Sequence, residues 1–177
     1  PILRAVDVPV DPSLAGPSDL AGLDASVVGA MGLAASDLLF DAAIEVGSVR
    51  FVGTAVSMGN PHFVAFLDQP VAEIALEYFG PLVEHHLAFP WRMNFHIVNV
   101  ESRSHLITRT WERGSGITLA CGTGASAMVV AARLHRLVDD DVRVMVPGGD
   151  LRISWPGQGT LVMAGDAVEV FSGAFEA

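Results

Sequence analysis

Apolar and polar residues change rhythm several times along this chain, and each rhythm predicts an element. Residues 125–138, Ala-Ser-Ala-Met-Val-Val-Ala-Ala-Arg-Leu-His-Arg-Leu-Val, carry small or apolar side chains around nearly the whole circumference of a helix. A helix apolar on every side is buried on every side, so the pattern predicts a central, wrapped helix. Arg133, His135 and Arg136 in its last turns complement the helix dipole, and Asp139-Asp140-Asp141 is expected to end it. Elsewhere the rhythm is that of strands. Residues 63–67, Phe-Val-Ala-Phe-Leu, form a fully apolar run, while residues 104–111 alternate Leu106, Thr108 and Thr110 against Ile107, Arg109 and Trp111.

Turn residues divide the remaining runs. Gly47-Ser48 predicts a hairpin that continues as a strand over residues 51–57, and Glu101-Ser102-Arg103 predicts a second hairpin. Pro147-Gly148-Gly149-Asp150 and Pro156-Gly157-Gln158-Gly159 separate short strands over residues 142–146, 151–155, 161–164 and 167–171. Residues 24–33 predict one short helix; residues 71–78 predict another, ended or restarted by Gly80-Pro81. Pro9, Pro12 and Pro17 leave the start extended or looped. The expected fold class is α+β, a curled and mostly antiparallel sheet wrapped around a central helix, with no βαβ repeat and no linker.

Length adds that 177 residues make one domain of ordinary size, residues 1–177, with enough chain for a core. A content of 51% hydrophobic and 17% charged residues describes a folded protein. The net charge of −10, with no Lys/Arg cluster, excludes a nucleic-acid surface. No run reaches the roughly 18 apolar residues of a membrane span. A single cysteine excludes an internal disulfide and a multi-thiolate zinc site. A cytoplasmic protein is expected, without membrane contact. The chain opens Pro1-Ile2-Leu3-Arg4 with no methionine, which fits a processed or truncated start.

The candidate chemistry gathers around Leu119-Ala120-Cys121-Gly122-Thr123-Gly124, a small-residue turn feeding the apolar helix. The first amides of a helix have no partner within it, and with the dipole they suit a carboxylate or phosphate. They also lower the pKa of a thiol beside them. Polar residues interrupt apolar strands at Asn60, His62, Asn94, Glu112 and Arg113. Alone, each has a plain reading: a turn cap, a satisfied core histidine, a loop asparagine, an exposed ion pair. Together with Cys121 they suggest more. Arg113 offers a rigid fork to a carboxylate, and the amides of Gly122 and Thr123 offer a second anion site. Glu112 could receive or deliver the proton of Cys121. Such a site binds a zwitterionic amino acid and sets a thiol against its α-carbon, as an acid/base. A nucleophilic hydrolase with His62 as base is the competing chemistry. His85 and His86 are adjacent and diverge on a helix, and no metal spacing exists, so no metal is expected.

These residues resemble a known family. Ser57-Met58-Gly59-Asn60-Pro61-His62, the run from Gly80 to Pro90, Asn94, and Glu112-Arg113-Gly114-Ser115-Gly116-Ile117-Thr118-Leu119-Ala120-Cys121-Gly122-Thr123-Gly124 are similar to the carboxy-terminal half of diaminopimelate epimerase. The resemblance implies a two-domain enzyme that needs no cofactor and interconverts LL- and meso-diaminopimelate in the cleft between its domains. One cysteine per domain works there, one removing the α-proton as thiolate and the other reprotonating the opposite face as thiol. It implies that Cys121 is the cysteine of the second domain, assisted by Glu112, and that His62 assists the cysteine of the first. Asn60, Asn94 and Arg113 then bind substrate, with the amides of Gly122 and Thr123 holding the reacting carboxylate. The implied partners are diaminopimelate and an amino-terminal domain in cis, and a homodimer is compatible with the resemblance. The Asn-Gly-Cys block of that first domain does not occur here, so the isolated chain is expected to be inactive. Phe95-His96 stands where the family more usually has small or aliphatic and then polar residues. That departure keeps open a related racemase acting on another amino acid, or a binding and assembly domain of the same fold.

Overall fold

The apolar runs become strands largely where their pattern places them, and among the described residues nine strands join one sheet. The computed structural model describes residues 1–174; the last three residues of the expected domain, 1–177, lie outside the described ones. In chain order the elements are α1 (Ala25–Ala30), β1 (Ala42–Val46), β2 (Val49–Ser57), β3 (Pro61–Phe66), α2 (Leu76–Glu84), β4 (Asn94–Ser102), β5 (His105–Glu112), β6 (Gly116–Ile117), α3 (Gly122–Leu134), β7 (Asp141–Val146), β8 (Gly149–Ser154) and β9 (Val162–Ala164). Both expected hairpins form, β1–β2 across Gly47-Ser48 and β4–β5 after Ser102. Gly47 takes a φ of 64°, a left-handed conformation that glycine adopts without a Cβ clash.

The expected curling of the sheet around α3 is overturned. The strand order is β1-β2-β3-β4-β5-β7-β8-β9, with β6 added to β5, and the path is open at both ends. The physical reason lies in two parallel crossovers that the sequence reading did not anticipate. β3 pairs parallel with β4 through α2, and β5 pairs parallel with β7 through α3. β5 runs antiparallel to β4, so two crossovers that step the same way across the sheet start from opposite strand directions. With the usual right-handed connection, they must then cover opposite faces.

The core divides accordingly. Val56, Val64, Val98 and Leu106 face α3, whose residues Ala127–Ala132 are completely buried. Phe51, Phe63, Phe95 and Ile97 face the other way, toward Leu76 and Val83 of α2. Alternate strand residues thus feed two cores. α1, with Leu3, Leu38 and Phe40 of the amino-terminal segment, packs into the same core as α3, together with Val142, Val144 and Ile153 of β7 and β8. The apolar circumference of α3 therefore predicted its burial but not what buries it.

Three boundaries also differ. α3 ends at Leu134, before the aspartates. Leu137 N donates to Ala132 O at 3.0 Å and Arg136 N to Arg133 O at 3.1 Å, with Arg136 at a φ of 57°. That pair of bonds around a left-handed residue closes the last turn. α2 runs through Gly80-Pro81 instead of stopping there. Gly80 makes room, since a Cβ on it would come within 2.3 Å of the Trp111 ring. Residues 167–171 form no strand.

Val129 and Ala131 are fully enclosed in α3. Val129→Asp is expected to cost several kcal/mol, because a carboxylate there meets no partner. Urea denaturation should show loss of the cooperative transition; near-parental stability would contradict this placement.

Candidate active site

Cys121 is the residue before the first turn of α3, in extended conformation (φ −138°, ψ 101°), and its Sγ accepts from the Gly124 amide at 3.3 Å. A thiol thus caps the helix where a hydroxyl or carboxylate is more usual. The Ala125 amide goes to the Cys121 carbonyl at 2.8 Å. The Gly122 and Thr123 amides have no acceptor among the described residues, leaving two donors and the positive end of the dipole beside the sulfur. The turn between β7 and β8 holds the preceding loop: Gly148 N donates to Leu119 O at 2.7 Å. A Cβ on Gly148 would sit 2.9 Å from that oxygen, so glycine permits the contact.

The expectation of a lowered thiol pKa does not hold. Burial pushes the Cys121 thiol up, and the nearby Glu112 carboxylate pushes in the same direction, while the Thr123 hydroxyl and Gly124 amide only partly oppose them. Desolvation of the thiolate outweighs the helix terminus. Cys121 rests as a thiol.

The strands supply the rest. The β3–β4–β5 register aligns His62 with Asn94 and His96 with Thr110, on the face that meets α3 (Val64, Val98 and Leu106 continue it). Asn94 is buried and works inside the chain, donating to Pro61 O at 2.7 Å and accepting from Arg113 N at 2.9 Å. It ties the Asn60–His62 segment to the Glu112–Arg113 turn. Arg113 is exposed, with Nη1 donating to Trp91 O at 3.0 Å. Glu112 accepts from the Thr118 hydroxyl at 2.5 Å. His62 is fully buried, with Nε2 3.0 Å from Asn60 Oδ1 and Nδ1 2.8 Å from His96 Nε2. Asn60 is half-buried. The eight candidate residues therefore gather at one end of the sheet, around the start of α3. A cavity of about 510 Å³ between β7, β8 and residues 164–166 includes none of them.

Sequence reasoning passed over Glu84 and Thr110, and noted His96 only as a departure from the family's pattern. Glu84, in α2, is 3% exposed. Its Oε2 accepts from Trp111 Nε1 at 2.7 Å and its Oε1 from Gly114 N at 3.0 Å, so it grips the Glu112–Arg113 turn from both flanks. The signal was the strongly apolar company of a lone carboxylate between Val83 and the histidine pair. For Thr110 it was the shared side with Leu106 and Thr108.

The fold brings a thiol, a carboxylate and unpaired helix amides to one place, a class of site suited to acid/base chemistry on an anion. Residues 54–170 match the diaminopimelate epimerase family. The chain is 49% identical to the diaminopimelate epimerase of Synechococcus elongatus over 79% of this chain and 50% of that one. It is 47% identical to that of Leptospira biflexa over 75% of this chain and 47% of the relative. A solved phenazine biosynthesis protein of the PhzF family from Bacillus anthracis covers 59% of this chain and 34% of its own, at a TM-score of 0.42 and 19% identity. The chain belongs to the diaminopimelate epimerase family, and it spans about half the length of the curated relatives it matches. Among the described residues no helix is long and apolar enough to cross a membrane, and no cluster of metal-binding side chains occurs.

Glu84→Ala would leave Trp111 Nε1 without its acceptor, at roughly 1–3 kcal/mol for a buried donor, and would release the exposed Gly114 amide to solvent. Denaturation should report that loss, and hydrogen exchange at Gly114 should quicken; unchanged exchange would contradict the grip. A second expectation concerns acid. Burial pushes His62 from 6.5 down to about 3 and His96 well below its ordinary value. Both are neutral in the fold, while the unfolded chain takes up protons below about pH 6.5. Stability should thus hold above that pH and fall as pH drops from 6.5 toward 3, by up to about 1.4 kcal/mol per pH unit for each histidine. Urea unfolding of His96→Gln across this range should show a shallower slope; an equal slope would contradict the burial of a neutral histidine there.

Proposed function

We propose that this chain is the carboxy-terminal domain, residues 1–177, of an enzyme interconverting LL- and meso-diaminopimelate without a cofactor. The observation that carries the reading is the family match combined with Cys121, Glu112 and two unpaired amides at the start of α3. In the proposed reaction, a cysteine thiolate on an amino-terminal domain in cis takes the proton from the α-carbon. The electron pair left behind spreads into the adjoining carboxylate, and Cys121 gives its S–H proton to the opposite face of the carbon. The reverse direction exchanges the two thiols' parts. A thiol kept protonated by burial starts in the correct form to donate.

The Gly122 and Thr123 amides would hold the reacting carboxylate, where donors placed in advance stabilise growing negative charge. Glu112 would relay the proton of Cys121, and His62, with both ring nitrogens engaged by Asn60 and His96, would assist the opposing cysteine through the groups it orients rather than as a proton carrier. Arg113 offers its guanidinium fork, and Asn60 and Asn94 their remaining amide hydrogens, to the substrate's polar ends. Exposed Trp91 and Leu119 flank this surface and suit cover by the partner domain. We place the whole protein in the cytoplasm.

The test is deuterium uptake at the α-carbon of diaminopimelate by the full-length protein. Cys121→Ala should lower exchange and epimerisation by about 10²–10⁴-fold, the usual worth of a positioned acid or base. Parental rates in that variant, or rapid epimerisation by the 177-residue chain alone, would overturn the two-thiol assignment.

A further inference from the structure

Four side chains form one line of hydrogen bonds behind the candidate site. Asn60 Oδ1 lies 3.0 Å from His62 Nε2, His62 Nδ1 lies 2.8 Å from His96 Nε2, and His96 Nδ1 lies 2.9 Å from Thr110 Oγ1. His62 and His96 are fully enclosed and Thr110 is 4% exposed. A neutral imidazole has one N–H and one bare nitrogen, so each ring passes the direction of the line to the next. Only two consistent directions exist.

Thr110 decides between them. Its neighbour on the same side, Thr108, donates to the Ile97 carbonyl at 2.9 Å. Thr110 has His96 as its sole hydrogen-bond partner among the described residues. If His96 Nδ1 carried the hydrogen, the Thr110 hydroxyl proton would be buried without an acceptor, which is unfavourable in an enclosed site. In the other direction every proton is used: Thr110 donates to His96 Nδ1, His96 Nε2–H to His62 Nδ1, and His62 Nε2–H to Asn60 Oδ1. The carbonyl oxygen of Asn60 is then held inward, and its amide nitrogen, with no acceptor among the described residues, faces outward.

We propose that Thr110 and His96 are positioning residues that lock His62 in its Nε2–H form and so fix Asn60 as a hydrogen-bond donor toward a carboxylate of the ligand. Reversal of the line would turn Asn60 into an acceptor suited to an ammonium group. His96 cannot swing away to relax the line, because its Cε1 lies against α3. A Cβ on Gly124 would be 2.5 Å from that atom. Burial keeps both rings neutral, as the line requires. The part concerning the ligand rests on the function proposed above; the tautomer does not.

Long-range proton–nitrogen NMR of the full-length protein reads the tautomer directly, without substrate. The parental His62 should be protonated at Nε2. Thr110→Val removes the deciding donor and should convert a measurable fraction of His62 to the Nδ1–H form, while Thr110→Ser restores the parental spectrum. With diaminopimelate, Thr110→Val should raise KM about tenfold, the worth of one hydrogen bond, with a smaller change in kcat, and Thr110→Ser should recover it. An Nδ1–H parental His62, or an unchanged tautomer in Thr110→Val, overturns the lock. A switched tautomer with unchanged KM overturns the assignment of Asn60 as the carboxylate donor. Absence of any turnover by the parental protein instead sinks the proposed substrate and leaves the tautomer result standing.

Discussion

How closely the first turn of α3 can approach the sheet sets the rest of the site. His96 stands on the strand face directly under Gly124, and a side chain at 124 would collide with both the His96 ring and the Cys121 sulfur. Glycine at that position lets the helix backbone settle onto a buried imidazole. The same approach folds the Gly124 amide onto Sγ, which fixes the thiol's direction. Moving the helix outward by one methyl group would separate the sulfur from the strand residues that surround it. Gly122 and Gly148 serve related ends, against Met163 and against the Leu119 carbonyl.

That approach depends in turn on topology. β4 and β5 run in opposite directions, so the two crossover helices lie on opposite faces. α3 therefore lies on one face of the sheet without α2, sharing its core with α1 and the amino-terminal segment. The salt bridge and hydrogen bonds of Arg133 to Asp24 and Asp140 fasten its far end, and the Asp24 amide also donates to Leu134 O at 2.7 Å. A helix clamped at its carboxy-terminal end and pressed down at Gly124 has little freedom to shift its cap. α2 contributes from the opposite face: Glu84 reaches past Trp111 to grip the turn that carries Glu112 and Arg113.

Much of this could be read in the sequence, for identifiable reasons. Both hairpins follow from glycine and serine turns between apolar runs, and the burial of α3 follows from its uniform circumference. The candidate site was legible because Asn60, His62, Asn94, Glu112 and Arg113 break apolar strands with groups that are expensive to bury unpaired. What escaped was non-local. A parallel partner leaves no mark on a strand's own pattern, so the two crossovers and the open sheet could not be read from periodicity. The continuation of α2 through Gly80 depends on a tryptophan thirty-one residues later in the chain. His96 and Thr110 look ordinary alone; their pairing exists only through the β3–β4–β5 register.

The thiol shows why residue types alone do not settle chemistry. The helix terminus, legible in the sequence, and the Thr123 hydroxyl both favour thiolate. Burial and the Glu112 carboxylate act the other way and prevail. These opposing influences need not be equally sensitive to surroundings. A substrate carboxylate at the Gly122 and Thr123 amides would spend the helix field on itself and add a second negative charge near the sulfur, favouring the thiol further. In the reaction proposed above, loss of the proton to a carbanion would then be the natural exit, because the charge being neutralised would sit against the same amides. The raised thiol pKa is a consequence of enclosing the sulfur with its carboxylate, and under the proposed reaction it would keep the proton available until a strong enough base forms beside it.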